Sequence, residues 1–195
     1  MYHPDTPRLI KQLLPNAKIV VAVCDPVPRL WSQYSSEEAE SARAGAPTPA
    51  VRTLRAANIT SFEQLVASFD AGYDNGTDVT ARRWAEQEFL EKGYYALHLL
   101  DYFTVFGRSN VHVVNTHELR GDGNRVAKTV EELLAFLDLP ADSYLWDTLG
   151  ALLKADEAAA TGFDRHAVPL VPAVRLRALY KKHNEMLQML VGVKF

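Results

Sequence analysis

Thiols are nearly absent from this chain: Cys24 is the one cysteine among 195 residues. A single thiol excludes an internal disulfide and any zinc site built on several thiolates. Long apolar runs are missing as well, none approaching the roughly 20 residues that carry a helix across a bilayer. Charge of one sign does not dominate, and a net charge of −3 creates no global field suited to nucleic acid or another polyanion. The opening Met1-Tyr2-His3-Pro4 lacks the basic and apolar regions of a secretory leader. A Gly-x-x-x-x-Gly-Lys-Ser/Thr loop is also missing, which argues against a nucleotide kinase. What remains is 48% hydrophobic and 23% charged, an ordinary globular composition with enough length for one domain and a real core.

The most informative stretch runs from Ala17 to Tyr34. Ile19 to Val23 is a short β-branched run of the kind that lies inside a parallel sheet. Asp25 is placed to cap a following helix, with Pro26 at its first position, where a missing N–H costs nothing. Val27, Leu30, Trp31 and Tyr34 form an apolar stripe at helical spacing, and Arg29, Ser32 and Ser36 fall on the other side. A strand feeding a helix start gathers free N–H groups and a positive dipole end, so a phosphate-bearing ligand is the natural expectation.

Further along, Ser41 to Pro49 reads as a surface loop. Ser61 and Gln64 stand three apart as in a capping box, opening a helix that buries Phe62, Leu65, Val66 and Phe69. Gly72 to Gly76 reads as a turn. Helices are predicted over 79–91 and 94–106, a second strand over Val111–Val114, and an amphipathic helix from Asn124 to Leu137 that ends before Pro140. The spacing then predicts a less regular region over 141–172 and a closing helix from about Ala173 to Leu190. Alternation of strand, helices, strand and helix favours an α/β layer with a parallel sheet. Two strands are too few for a complete doubly wound domain, so residues 1–195 read as one domain forming the later portion of a larger α/β fold.

Several of these segments resemble the sulfotransferases that use 3′-phosphoadenosine 5′-phosphosulfate (PAPS), closest to the heparan-sulfate, carbohydrate-type members. Their nucleotide 3′-phosphate strand–helix has the form Arg-[Asp/Asn]-Pro-x-x-Arg-x-x-Ser-x-Tyr, and Asp25, Pro26, Arg29, Ser32 and Tyr34 stand in place. Lys92 to Phe103 is similar to the family's Gly-x-Tyr-x-x-His-Leu-x-x-Trp-x-x-Phe helix. Val111 to Leu119 resembles the next strand with its Glu-x-Leu step, and Val130 to Pro140 resembles the helix ending in Phe-Leu-Gly-Leu. Leu176, Arg177, Tyr180, Asn184, Gly192 and Phe195 match Leu-Arg-x-x-Tyr-x-x-x-Asn…Gly-x-x-Phe. The likeness runs collinearly from about Pro7 to Phe195. It implies an incomplete P-loop-like sulfotransferase fold, with a few parallel strands surrounded by helices.

The resemblance also implies chemistry. Sulfuryl transfer needs in-line positioning, cations or N–H donors at the charged oxygens, and a base for the acceptor. Ser32 would hold the 3′-phosphate, with Cys24 at the position of the partner arginine, whose forked donors a thiol cannot imitate. Arg165 matches the arginine of a loop that folds over the nucleotide, although Phe163 and Asp164 replace its Lys-Gly. The family's Lys-x-Gly-Thr-Thr donor loop and the catalytic base that follows it are not found in these residues, so no catalytic residue is assigned. PAPS would be the co-substrate, with no metal and no nucleic acid, and a carbohydrate or glycosaminoglycan would be the acceptor. Relatives in the Golgi lumen commonly carry a disulfide that is missing here, and that address would need an upstream anchor.

Other chemistry-bearing residues have plainer readings. His117-Glu118 lacks the second histidine of a zinc motif, since Gly121 stands in its place. Gly121-x-Gly123 has no Lys-Ser/Thr behind it. His98 reads as a core residue, and Cys24 as a small hydrophobe. Glu86, Glu88 and Glu91 among Arg82, Arg83 and Lys92 read as a charged solvent face. Arg175, Arg177, Lys181 and Lys182 form a basic strip that would suit an anionic glycan. Two functions follow: a sulfotransferase domain impaired by the missing donor loop, or a non-catalytic nucleotide-binding or interaction protein on a degenerate sulfotransferase scaffold.

Overall fold

A computed structural model describes residue 3 and residues 5–70, 79–120, 123–140 and 167–195. The chain divides into two compact units. One comprises Met1–Cys24 with Leu97–Asp164, the other Asp25–Ala96 with Arg165–Phe195.

The first unit holds helix α1 (Thr6–Leu13) and strands β1 (Ile19–Val23) and β2 (Val111–Asn115). It also holds α7 (Gly123–Leu137) and all but the first two residues of α6 (Tyr95–Phe106). The strands pair in parallel, with Ile19 opposite Val111 and Val23 opposite Asn115. The Thr116 N–H extends the ladder by donating to the Val23 carbonyl at 2.8 Å. The strand expected to be buried on both faces is buried on one: Val21 and Val23 are inside, while Val20 is 41% exposed and Ala22 is exposed. The β-branched run set the strand, and its period of two then divided it between faces.

Lys18, just before β1, donates to the Phe136 carbonyl at 2.6 Å and pairs with Asp138. Asp138 lies in the left-handed region at φ 57° and ends α7, where the Leu139 N–H returns to the Leu134 carbonyl at 3.0 Å. The His112 ring of β2 stacks on Phe136 at 5.1 Å. Val126, Val130 and Leu134 form the buried stripe of α7, as their spacing predicts. His117-Glu118 is structural in form: the Asn115 side chain accepts from the His117 N–H at 3.0 Å and a short 3₁₀ turn follows.

The second unit is all helical among its described residues: α2 (Pro26–Ala44), α3 (Pro49–Ala56), α4 (Phe62–Ala67), α5 (Val79–Ala85) and α8 (Leu170–Val191). A π-helical turn (Glu86–Leu90) and a 3₁₀ turn (Glu91–Gly93) continue α5. The segment read as a surface loop is helical to Ala44, where Gly45 adopts φ 67° as a left-handed cap. Ser41 is buried there, donating to the Glu37 carbonyl (2.8 Å) and accepting from the Thr48 N–H (2.9 Å). Thr48 in turn caps α3, a helix the composition did not announce, by accepting from the Val51 N–H at 3.2 Å. The capping box is half realised. Ser61 accepts from the Gln64 N–H at 3.2 Å, but the Gln64 side chain reaches the Thr60 N–H (2.7 Å), one residue earlier than the pattern requires.

Val27, Leu30, Tyr34, Leu65, Phe89 and Tyr180 are central to the core of this unit. The expected regular helix over 79–91 is instead closed by the π turn, whose last carbonyls need donors from elsewhere. Gln33 Nε2 reaches the Glu88 carbonyl at 3.2 Å, Arg29 Nη2 the Phe89 carbonyl at 2.6 Å, and the Tyr180 hydroxyl the Leu90 carbonyl at 2.9 Å. Burial pushes the Tyr180 phenol well above its ordinary pKa, with Arg29 partly opposing. A Cβ on Gly93 would lie 2.6 Å from Tyr180 Cε1, so only glycine admits that ring. The acidic residues of this segment face outward as ion pairs: Arg82–Glu86 at 3.4 Å, Arg83–Glu86 at 3.2 Å, Arg83–Glu91 at 2.7 Å, and Lys92–Glu88.

Gly93→Ala drives a methyl into a buried aromatic ring, an overpacking that costs about 1–3 kcal/mol. Tyr180→Phe leaves the Leu90 carbonyl unpaired at a cost of about 1–3 kcal/mol. Urea unfolding midpoints measure both losses. Stability should also depend on pH through His183, which stacks on Tyr94 at 3.7 Å and buries an unpartnered Nδ1. Burial lowers its pKa from the ordinary 6.5, so the unfolded chain takes up a proton first. Stability is therefore highest above about pH 6.5 and declines as pH falls toward the lowered native value; His183→Phe should flatten that part of the profile.

Candidate functional site

The candidate site begins at the start of α2, where local chemistry fixes the helix. Asp25 takes the cap position and its carboxylate accepts from the Val27 N–H at 2.9 Å. Pro26 and Pro28 contribute no N–H, and the Arg29 N–H is engaged by the Asp25 carbonyl at 3.2 Å. The first turn thus has no free backbone donor, and a carboxylate already sits over it. The expectation that bare amides would gather a phosphate here is corrected. The same prolines and aspartate that announce the helix leave its first turn without a free backbone N–H for an anion.

Ser32 is half-buried, and its hydroxyl finds no hydrogen-bond partner among the described residues. It lies seven residues beyond Asp25, so the two share one face of α2. Cys24 is half-buried and outside any disulfide. Arg165, with Phe163 and Asp164, lies outside the described residues. Gly121 does also.

The motif residues around Ser32 do structural work. Arg29, expected on the polar side, turns inward: Nη1 donates to Gln33 Oε1 at 3.0 Å while Nη2 holds the Phe89 carbonyl. Its Nε is buried without a partner. Tyr34 is buried against Phe62, ring centroids 5.3 Å apart, and burial with Glu38 and Glu63 nearby pushes its phenol up to about 12. A hydroxyl so held stays neutral. His98 is half-buried on α6.

Sequence reasoning missed a cleft of about 350 Å³ beside the same helix start. Asp25 and Val27 line one side, Arg177, Lys181, Asn184, Glu185 and Gln188 of α8 another, and Lys194 and Phe195 the rest. The basic strip of α8 is therefore split. Arg177 and Lys181 face the cleft, whereas Arg175 pairs with Asp70 at 3.5 Å. The signal lay in the spacing 177, 181, 184 and 188, which keeps to one helical face. Among the described residues no group of three or more His, Cys, Asp or Glu side chains is arranged to hold a metal ion. No described helix is long and apolar enough to cross a membrane.

No protein-family model matches the chain. The bifunctional heparan sulfate N-deacetylase/N-sulfotransferase 2 of Bos taurus is 27% identical over 128 residues, which are 66% of this chain and 12% of that protein. The crystal structure of a sulfotransferase from Alicyclobacillus acidocaldarius matches the whole of this chain with a TM-score of 0.63 and 20% identity, over 62% of its own length. This chain thus spans a small part of the first and about six tenths of the second. The two parallel strands among many helices in the described residues agree with that likeness. The chain has the α/β fold of the sulfotransferases, and the resemblance to that family carried by its motifs is upheld by both comparisons.

Proposed function

We propose that these residues form the nucleotide-seating portion of a PAPS-dependent sulfotransferase that transfers a sulfuryl group to a carbohydrate hydroxyl or amine. The observation that carries this reading is the Ser32 hydroxyl, half-buried and unpartnered on α2, at the motif position that grips the 3′-phosphate in the family. A relative whose name includes heparan sulfate N-sulfotransferase supports an anionic carbohydrate as acceptor. Cys24 stands where a charged clamp residue is expected, so Ser32 bears more of the phosphate recognition. Arg165 would add a cation over the nucleotide. A Golgi-lumen location would follow if a preceding segment anchors the protein there.

Chemistry is a separate matter from recognition. The 195 residues contain no Lys-x-Gly-Thr-Thr run, and charge developing on the leaving side has no matching donor loop within them. By themselves they bind the donor and turn it over poorly. Loss of one preorganised donor alone slows such reactions about 10²–10³-fold. The second reading, a binding protein on a degenerate scaffold, is favoured by Cys24 and by the occupied start of α2.

Calorimetric titration with 3′-phosphoadenosine 5′-phosphate should show binding that Ser32→Ala weakens about 10–100-fold, the value of a hydrogen bond to a charged group. Absence of binding, or binding indifferent to Ser32→Ala, would remove the nucleotide from this site. In an assay with labelled PAPS and a desulfated heparan acceptor, the 195-residue chain should incorporate label at least about 10²-fold more slowly than an intact sulfotransferase. Turnover at the intact rate would overturn the impairment.

A further inference from the structure

The cleft between the start of α2 and the face of α8 is lined by three cations, Arg177, Lys181 and Lys194. Arg177 and Lys181 stand four apart on one helix, a like-charged pair that destabilises an isolated helix. Acids line the same space, yet none forms an ion pair with them. Among the described residues Arg177, Lys181 and Lys194 have no carboxylate within ion-pair distance, although Arg175 on the same helix does. Asp25 is engaged as the cap of α2. The three cations are thus left free to meet an anion.

The remaining lining narrows the ligand. Asn184 and Gln188 offer amide donors and acceptors, Asp25 and Glu185 offer carboxylate acceptors, and Phe195 offers an aromatic ring. A hydroxyl-rich ligand uses such a mixture, because each hydroxyl both donates and accepts. Two carboxylates would oppose a bare dianionic phosphate. The volume of about 350 Å³ lies at the small end of ligand sites, fitting one ring of an oligosaccharide better than a whole nucleotide. Val27 at the cleft and Ser32 are five residues apart on α2, roughly 7.5 Å along its axis. The cleft therefore adjoins the proposed nucleotide seat without including it.

We infer that this cleft seats a sulfated or carboxylated sugar residue of the acceptor chain, with Arg177, Lys181 and Lys194 holding its anionic group and Phe195 its ring. The inference rests on the sulfotransferase reading for its choice of a glycan, but its test is separate from that of the nucleotide site. A heparin hexasaccharide, 3′-phosphoadenosine 5′-phosphate, inorganic sulfate and a neutral maltohexaose are titrated into the 195-residue chain. The same titrations are run on the double variants Arg177→Gln/Lys181→Gln and Arg175→Gln/Lys182→Gln, with thermal melts confirming that both fold. The second pair removes equal charge from α8 without touching the cleft lining.

The expected result is heparin binding weakened at least tenfold in the first variant and less than threefold in the second. Affinity for 3′-phosphoadenosine 5′-phosphate stays unchanged in both, and maltohexaose does not bind. Equal weakening in the two variants would reduce the effect to diffuse surface charge and overturn the inference. So would sulfate competing as well as the hexasaccharide, which would make the cleft a simple anion site. Loss of the nucleotide instead of the saccharide, or no heparin binding by the parent chain, would overturn it also. Failure of the parent chain to bind 3′-phosphoadenosine 5′-phosphate, with heparin behaving as expected, would sink the nucleotide reading and leave the cleft assignment standing.

Discussion

Three consecutive carbonyls, those of Glu88, Phe89 and Leu90, hold the second unit together. A helical segment that tightens from a π turn into a 3₁₀ turn loses regular partners for its last acceptors. A buried carbonyl without a donor costs about as much as a good hydrogen bond contributes. Donors arrive from two other helices: Gln33 and Arg29 from α2, and Tyr180 from α8. Each donor fixes its helix against the turn, so one local irregularity sets the positions of α2 and α8 together. Gly93 is the steric counterpart, since the Tyr180 ring occupies the space where a side chain would begin.

That constraint explains why motif residues far apart in sequence belong together. Gly93, Arg29 and Tyr180 come from three segments that resemble sulfotransferases, and they meet around one turn. None needs to touch a ligand to be indispensable. Arg29 and Ser32 lie within one turn of α2 and divide its work: the guanidinium anchors the helix inward, and the hydroxyl is left unpartnered. Placement of Ser32 thus depends on a packing contact rather than on the site's own chemistry.

Electrostatics near the start of α2 is equally directed. Two prolines and the Asp25 cap consume or remove every first-turn donor, so the helix dipole has no backbone N–H to present to an anion. Positive charge is supplied instead by side chains of α8 and by Lys194. Side chains can be spaced for a particular ligand, whereas a helix start attracts any anion alike. The acidic segment around Glu86 to Glu91 takes no part, because Arg82, Arg83 and Lys92 neutralise it at the surface.

The strands, the capped start of α2 and the buried stripe of α7 were legible in the sequence, because each depends on neighbours within one or two turns. β-Branched runs, an Asp-Pro step and apolar spacing act locally. The sequence could not show that β1 is buried on one face, that Ser41 and Thr48 fold a presumed loop into a double cap, or that α3 exists. It could not show Arg29 turned inward or Lys194 brought to the cleft that Asp25 also lines. The Ser41 and Thr48 bonds join residues only 3 to 11 apart, but nothing in the local composition marks them, whereas Arg29 finds the Phe89 carbonyl 60 residues away, once the chain has closed. Local chemistry determined which elements form, and long-range satisfaction of polar groups decided which side chains became structural, as with Arg29, and which stayed unpartnered, as with Ser32.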